Sequence, residues 1–157
     1  MAQFGIFLLS LILPFLAIPT KTIEKSFLQN NPRILYELLP ADSRISISLP
    51  DPISFSDQIS AQQAFFLFQQ IFSAYTTFEF YPEGESPYFI EEGGVILKAR
   101  WSFKNNKTSD QHVLELFFYL ARADLRPTGA EQSSLRIRKT RWIIAEIKAA
   151  EIKVGEP

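Results

Sequence analysis

The sequence predicts an α+β protein in which N-terminal helices pack on a curled antiparallel sheet, in the element order α-α-β-α-β-β-β-β. Two observations lead to this prediction: apolar residues recur at helical spacing in the first half of the chain and alternate with polar residues in the second half. A third observation narrows the fold class: the chain has neither a glycine-rich phosphate loop nor a βαβ alternation. Doubly wound nucleotide-binding folds are therefore excluded.

Composition limits the possible functions. A chain of 157 residues with 46% hydrophobic and 14% aromatic content can bury one sizeable core, which indicates a single domain. The absence of cysteine excludes disulfides, zinc-cysteine sites and a cysteine nucleophile. Because the net charge is −1, no nucleic-acid partner is expected. One local basic run is interpreted as a solvated strand edge; its members are Arg136, Arg138, Lys139 and Arg141.

The first twenty residues contain no charged side chain. Residues 4–18, FGIFLLSLILPFLAI, form an apolar run that is shorter than the ~20 residues of a membrane-spanning helix and suits a signal-peptide core of ~7–15 residues. We predict that residues 1–20 are a signal peptide or an N-terminal hydrophobic anchor and that the protein is exported to the periplasm, envelope or exterior. A buried N-terminal helix is the alternative, which Pro14 and Pro19 disfavour.

Two short helices and a strand are expected next. Asn31 followed by Pro32 is typical of a helix cap with proline at the first helical position, and Pro40 ends the apolar stripe that follows. Residues 44–49, RISISL, alternate as a strand with one buried face.

The main helix is predicted to begin at a capping box, since Ser60 is followed three residues later by Gln63. Its apolar stripe could line a ligand site, but aromatic stripes at this spacing favour plain core. The stripe consists of Ala64, Phe65, Leu67, Phe68, Ile71 and Phe72.

The second half predicts a strand at residues 76–81, with Phe78 and Phe80 inward, and then a long hairpin. The buried faces of the hairpin are assigned to Val95, Leu97, Ala99, Trp101, Phe103, Leu114, Leu116, Phe118 and Leu120. Both faces lie on the same side if paired residue numbers add to 215, which puts the turn at residues 106–110. Arg100 then faces Glu115, predicted as a cross-strand ion pair. The glycosylation sequon at Asn106 is interpreted as chance.

A last strand is predicted at residues 135–149. Ile143, Ala145 and Ile147 are assigned to its buried face. The outer face is assigned to Trp142, Ile144, Glu146 and Lys148.

Four stretches, IEKSFLQNNPRILYELLP, RISISLP, SAQQAFFLFQQIF and RWIIAEIKAAEI, resemble the nuclear-transport-factor-2-like superfamily, a cystatin-like α+β roll. The likeness covers residues 21–153 and is greatest to domain-of-unknown-function members in small exported bacterial proteins. It implies a cone-shaped roll whose curved sheet wraps the main helix, often with a pocket at the open end. It also implies frequent dimerisation through the outer sheet face.

Enzymes of this superfamily place Asp, His or Tyr side chains inside the cone, and this chain offers little that matches them. His112 lies next to the predicted turn, while Glu79, Glu115 and Glu146 fall on the face opposite the apolar stripe. We therefore expect no catalytic residue, metal site or cofactor. A pocket, if present, is expected to be lined by Tyr36, Phe68, Phe80, Trp101 and Phe118.

These patterns favour a non-catalytic ligand-binding or protein-interaction module. The alternative is a small isomerase or dehydratase acting on an apolar molecule. A homodimer is expected, with an apolar small ligand or an envelope protein as other possible partners and with membrane contact only through the N-terminal segment. The predicted dimer face consists of Ile96, Phe117, Tyr119, Trp142 and Ile144. The alternative is that the C-terminal tail, the leader or the loop at residues 124–134 folds over these residues.

Overall fold

The computed structural model describes residues 18–84, 87–90, 93–124 and 140–152. Nearly all of the predicted leader at residues 1–20 therefore lies outside the described residues. The same holds for residues 135–139, which include the start of the predicted last strand and Arg136, Arg138 and Lys139 of the basic run. Within the described part of the chain, no helix is both long and apolar enough to cross a membrane.

Three helices form one layer of the described fold: α1 (Thr20–Leu28), α2 (Pro32–Tyr36) and α3 (Ala61–Ala74). The predicted cap of α2 is confirmed, because the Arg33 backbone N–H donates to Asn31 Oδ1 at 3.0 Å and Pro32 occupies the first turn. The capping box of α3 is also confirmed. Gln63 N–H donates to Ser60 Oγ at 3.2 Å, and Ser60 N–H donates to Gln63 Oε1 at 2.9 Å.

The other layer is a curved sheet whose described strands are β1 (Ile45–Leu49), β2 (Phe55–Ile59), β3 (Tyr75–Pro82), β4 (Tyr88–Phe89), β5 (Val95–Asn105), β6 (Gln111–Asp124) and β7 (Thr140–Glu151). Their order is β2-β1-β7-β6-β5-β3, and β4 pairs with β5 beside β3. The α+β roll is thus confirmed.

Two details of the sheet differ from the prediction. The sheet is mixed rather than wholly antiparallel, because β1 pairs with β7 in parallel; a five-residue alternating pattern fixes which face is buried but not which strand is the neighbour. The strand β2 was not predicted. Its sequence FSDQI has apolar residues only at its two ends, so it shows no alternation.

The long hairpin has the predicted register. Val95 faces Leu120 and Arg100 faces Glu115, so both pairs add to 215, and all nine residues assigned to the inner faces are buried. The turn closes with Asn105 N–H donating to the Asp110 carbonyl oxygen at 2.9 Å. The predicted ion pair is wrong, however: Glu115 bonds Lys98 Nζ at 2.7 Å instead of Arg100. Lys98 is the diagonal neighbour of Glu115, within reach of a long side chain.

A β-bulge in β7 reverses the predicted faces at the start of that strand. Tyr119 faces Glu146 while Leu120 faces Ile144, so Ala145 has no partner across the ladder. As a result Trp142 and Ile144 point inward, with 6% and 0% of their surfaces exposed. Their assignment to the outer face is wrong, and so is the inward assignment of Ile143 and Ala145. Beyond the bulge the prediction holds, since Ile147 is buried.

A second bulge lies in β3. Thr77 faces Phe103 and Glu79 faces Ser102, which leaves Phe78 as the extra residue. Phe78 is 51% exposed, so its predicted inward position is wrong, whereas Phe80 is buried as expected. One inserted residue shifts the two-residue period of the strand.

Candidate functional site

The interior of the cone is filled by a cluster of aromatic rings centred on Phe27 of α1. The distances from the Phe27 ring centroid to its neighbours are 4.7 Å to Phe80, 5.2 Å to Trp101, 5.3 Å to Phe72, 5.8 Å to Phe118 and 6.0 Å to Phe68. These separations are those of packed rings. The helix α1 thus fills the interior of the cone with a side chain.

Several polar groups around the ring cluster bond to one another or to the backbone, whereas Trp142 Nε1 is buried without a hydrogen-bond partner among the described residues. Trp101 Nε1–H donates to Thr77 Oγ1 at 2.8 Å, and Ser26 Oγ–H donates to the Ile23 carbonyl oxygen at 2.6 Å. Thr77 also donates its backbone N–H to Asn30 Oδ1 at 3.3 Å. These contacts satisfy the bonded polar atoms within the fold.

The five residues predicted to line a pocket divide into two groups. Phe68, Phe80, Trp101 and Phe118 are buried in the ring cluster, whereas Tyr36 is 45% exposed and lies apart from it. Four of the five residues therefore pack in the core, and Tyr36 lies outside it.

The predicted candidates for acid–base chemistry are also accounted for. His112 is half-buried beside the hairpin turn, where its ring lies 5.5 Å from that of Phe103 and 6.3 Å from that of Tyr75. Glu79 is exposed on β3, and Glu115 and Glu146 lie on the outer face and pair with lysines. Within the described ranges, no three His, Asp or Glu side chains cluster as metal ligands.

Tyr36 lines a cleft of about 600 Å³ outside the ring cluster, between α1, the segment after α2, the start of α3 and the start of β7. The Arg141 guanidinium donates to the Glu37 carbonyl oxygen, and Ile144 N–H donates to the Leu38 carbonyl oxygen at 2.7 Å. These two bonds tie the segment after α2 to β7. The cleft is lined by Thr22, Tyr36, Glu37, Leu38, Leu39, Ala41, Ala61 and Arg141.

The outer face of the sheet carries a second candidate surface. Tyr88 of β4 faces Ile96 of β5, which faces Tyr119 of β6, so three neighbouring strands form one apolar row. In the adjacent row Phe117 lies between Lys98 and Lys148. We call Tyr81, Tyr88, Ile96, Phe117 and Tyr119 the outer apolar patch. Tyr81 of β3 belongs to the patch because it pairs with Arg100 of β5, which lies on the outer face.

Charged side chains border and partly cover this patch. Lys98 Nζ lies 5.9 Å from the Phe117 ring centroid, and Lys148 Nζ lies 5.6 Å from that of Tyr119. Lys98 also pairs with Glu115 at 2.7 Å and Glu83 at 3.3 Å. The hydrogen bond that Lys98 donates to Glu115 raises the pKa of Lys98, and the one that Lys148 donates to Glu146 raises the pKa of Lys148. Both lysines therefore stay cationic.

Of the five residues predicted for a dimer face, Ile96, Phe117 and Tyr119 lie on the outer face. Trp142 and Ile144 lie in the core. Tyr81 and Tyr88 also lie in the patch, but they were not predicted from the sequence. The signal for Tyr81 was its odd position next to buried Phe80, whereas Tyr88 lies in a two-residue strand too short to show a period.

No family model and no curated protein matches the chain. Solved structures do. A DUF4783 family protein from Bacteroides ovatus is 10% identical, with a TM-score of 0.56 over 84% of this chain and 94% of that one. A ketosteroid isomerase-like protein from Erwinia carotovora is 11% identical, with a TM-score of 0.56 over 82% and 87%.

An NTF2-like protein of unknown function in nutrient uptake from Rhodospirillum rubrum is 10% identical, with a TM-score of 0.54 over 90% of this chain and 98% of that one. At these identities the likeness concerns the fold alone. The chain therefore has the nuclear-transport-factor-2-like fold that its sequence resembles, shared with proteins of unknown function.

Proposed function

We propose that this domain is a non-catalytic interaction module that forms a homodimer through the outer apolar patch. The observation that carries the proposal is the row of Tyr88, Ile96 and Tyr119, which three neighbouring strands present side by side on the outer face. A solvated face of a sheet normally carries polar residues at these alternate positions.

The composition of the patch suits a protein contact. Tyrosine and phenylalanine supply large apolar areas, and the lysines and glutamates around them form a charged rim. Tyr81 and Tyr88 are 45% and 47% exposed, so a partner would remove much of their surface from water. Contiguous apolar surface of this kind is typical of interaction sites.

The charges favour a second copy of the chain as the partner. Lys98, Arg100 and Lys148 lie among Glu83, Glu115 and Glu146 on this face. Because these charges balance, a two-fold axis through the face can place cations of one copy against carboxylates of the other. A strongly acidic or basic partner would gain nothing from such a surface.

The filled cone supports the absence of catalysis. An isomerase or dehydratase of this fold needs a pocket with converging polar groups, and here the rings around Phe27 occupy that space. The likeness to a ketosteroid isomerase-like protein extends to the fold alone.

The experiment is sedimentation of the full chain at micromolar concentrations, with and without the pair of changes Phe117→Lys and Tyr119→Glu. We expect the parent to sediment as a dimer and the double variant as a monomer. Phe66→Lys is the matched control, because Phe66 is a 50% exposed aromatic residue on α3, away from the sheet. A monomeric parent, or a double variant that remains dimeric, would overturn the proposal.

We also propose that the domain works outside the cytoplasm, supported by the uncharged residues 1–20. N-terminal sequencing of the protein recovered from its native cells tests this. Recovery of a soluble cytoplasmic product that still begins at Met1 or Ala2 would contradict it.

A further inference from the structure

We propose that the cleft beside Tyr36 and Arg141 binds a small amphiphilic monoanion: one carboxylate attached to a short apolar chain. This goes beyond the proposed dimer, since none of the residues of the outer apolar patch lines the cleft.

The size and wall of the cleft fit such a ligand. Its volume of about 600 Å³ is in the range of small-molecule sites. Leu38, Leu39, Ala41 and Ala61 give it an apolar wall, and Leu38 and Leu39 are themselves held in the core. The Tyr36 ring packs edge-on against Phe65 at 5.7 Å, which fixes one side of the opening. An alkyl chain is the group that such a wall would take from water.

The charge of Arg141 defines the head group. Among the described residues its guanidinium has one hydrogen-bond partner, the carbonyl oxygen of Glu37, and no carboxylate within ion-pair distance. A carbonyl oxygen uses one of the five N–H donors of the guanidinium and does not neutralise its charge. A ligand carboxylate can accept two of the remaining N–H groups side by side.

The other polar groups of the cleft refine this choice. Thr22 and Tyr36 also line the cleft, and the hydroxyl groups of these residue types can donate to an anion. Glu37, a formally anionic residue, also lines the cleft. One cation beside one carboxylate suits a single negative charge better than a phosphate dianion, which Glu37 would repel.

The test is calorimetric titration of the full chain with octanoate. We expect saturable binding, about tenfold weaker for Arg141→Gln and roughly three- to fourfold weaker for each methylene removed in going to hexanoate. Octyltrimethylammonium, which has the same chain and the opposite charge, should not bind in the cleft. Lys104→Gln removes an exposed cation elsewhere and should leave the affinity unchanged.

A further variant guards against a merely structural effect of Arg141→Gln, since Arg141 also ties Glu37 in place. Ala41→Trp fills the cleft from an exposed position and leaves that bond intact, so it should abolish octanoate binding without changing the melting temperature. Absence of saturable binding, equal binding of the ammonium probe, or unaltered binding by Ala41→Trp would each overturn the proposal. A phosphate ester that binds more tightly than octanoate would do the same.

Discussion

The rings of Phe27 and Phe80 stack with centroids 4.7 Å apart and planes 24° from parallel. This contact joins the first helix to β3, which lies at one edge of the sheet. Phe27 meets Phe72 of α3 and Trp101 of β5 on its other sides. One side chain therefore joins both layers and fills the interior between them.

Replacing Phe27 by alanine should lower the free energy of unfolding by about 3–5 kcal/mol, because it leaves a cavity among five rings that cannot all close in on it. The neighbouring change Leu28→Ala should cost under about 1 kcal/mol, since Leu28 is exposed at the end of the same helix. Urea denaturation of both variants makes the comparison. Equal costs would mean that Phe27 is not at the centre of the core.

The bulge in β7 is tested by two adjacent residues. Trp142→Ala should cost about 3–5 kcal/mol because Trp142 is buried, whereas Ile143→Ala should cost about 1–2 kcal/mol because Ile143 is partly exposed. Without the bulge the order of the two costs would be reversed. Chemical denaturation of the two variants decides between these orders.

Asn106 links the hairpin turn to the end of α3. Its Nδ2 donates to the Ser73 carbonyl oxygen at 2.9 Å, and its Oδ1 accepts from Thr76 Oγ1 at 2.6 Å. Asn106→Ala should therefore cost about 1–2 kcal/mol in thermal or urea unfolding. Lys107→Ala, an exposed change in the same turn, should cost less than about 0.5 kcal/mol. A similar cost for both would contradict a structural role of the Asn106 side chain.

The ion pairs on the outer face should make the stability of the fold depend on pH. Glu115 raises the pKa of Lys98 above its ordinary 10.5, so this pair stabilises the fold below that pH and the contribution is lost as the pH rises through the raised pKa. Glu115→Gln should lower the pKa of Lys98. Glu146→Gln should lower that of Lys148 and leave that of Lys98 unchanged. Nuclear magnetic resonance titration of the two amines measures both, and an unaltered Lys98 in Glu115→Gln would disprove the coupling.

The sequence predicted the hairpin well because both of its strands are long enough to show an unbroken two-residue period. Val95 to Phe103 and Leu114 to Leu120 keep that period throughout, so the faces and the register followed from parity alone. The Asn31 cap and the Ser60–Gln63 capping box were equally visible, since they depend on residue types at fixed local spacing.

The predictions that were wrong or missing concern single inserted residues and contacts between residues far apart in the sequence. Ala145 and Phe78 each shift a strand by one position, and nothing in the local pattern distinguishes a bulge from a regular strand. The cleft was not foreseen as a whole. Tyr36 and Arg141 meet there although they are far apart in the sequence, and their meeting depends on β7 docking against the segment after α2.

Association through the outer face can be tested directly by cross-linking, because the chain contains no cysteine and a single thiol can be introduced at a chosen position. Ala150→Cys places a single thiol on the outer face, opposite Glu115, while Gln69→Cys places one on the exposed side of α3. With a short bismaleimide we expect rapid covalent dimer formation for Ala150→Cys and slow, concentration-limited formation for Gln69→Cys. Equal rates for the two variants, or faster coupling through Gln69→Cys, would contradict a dimer built on the outer apolar patch.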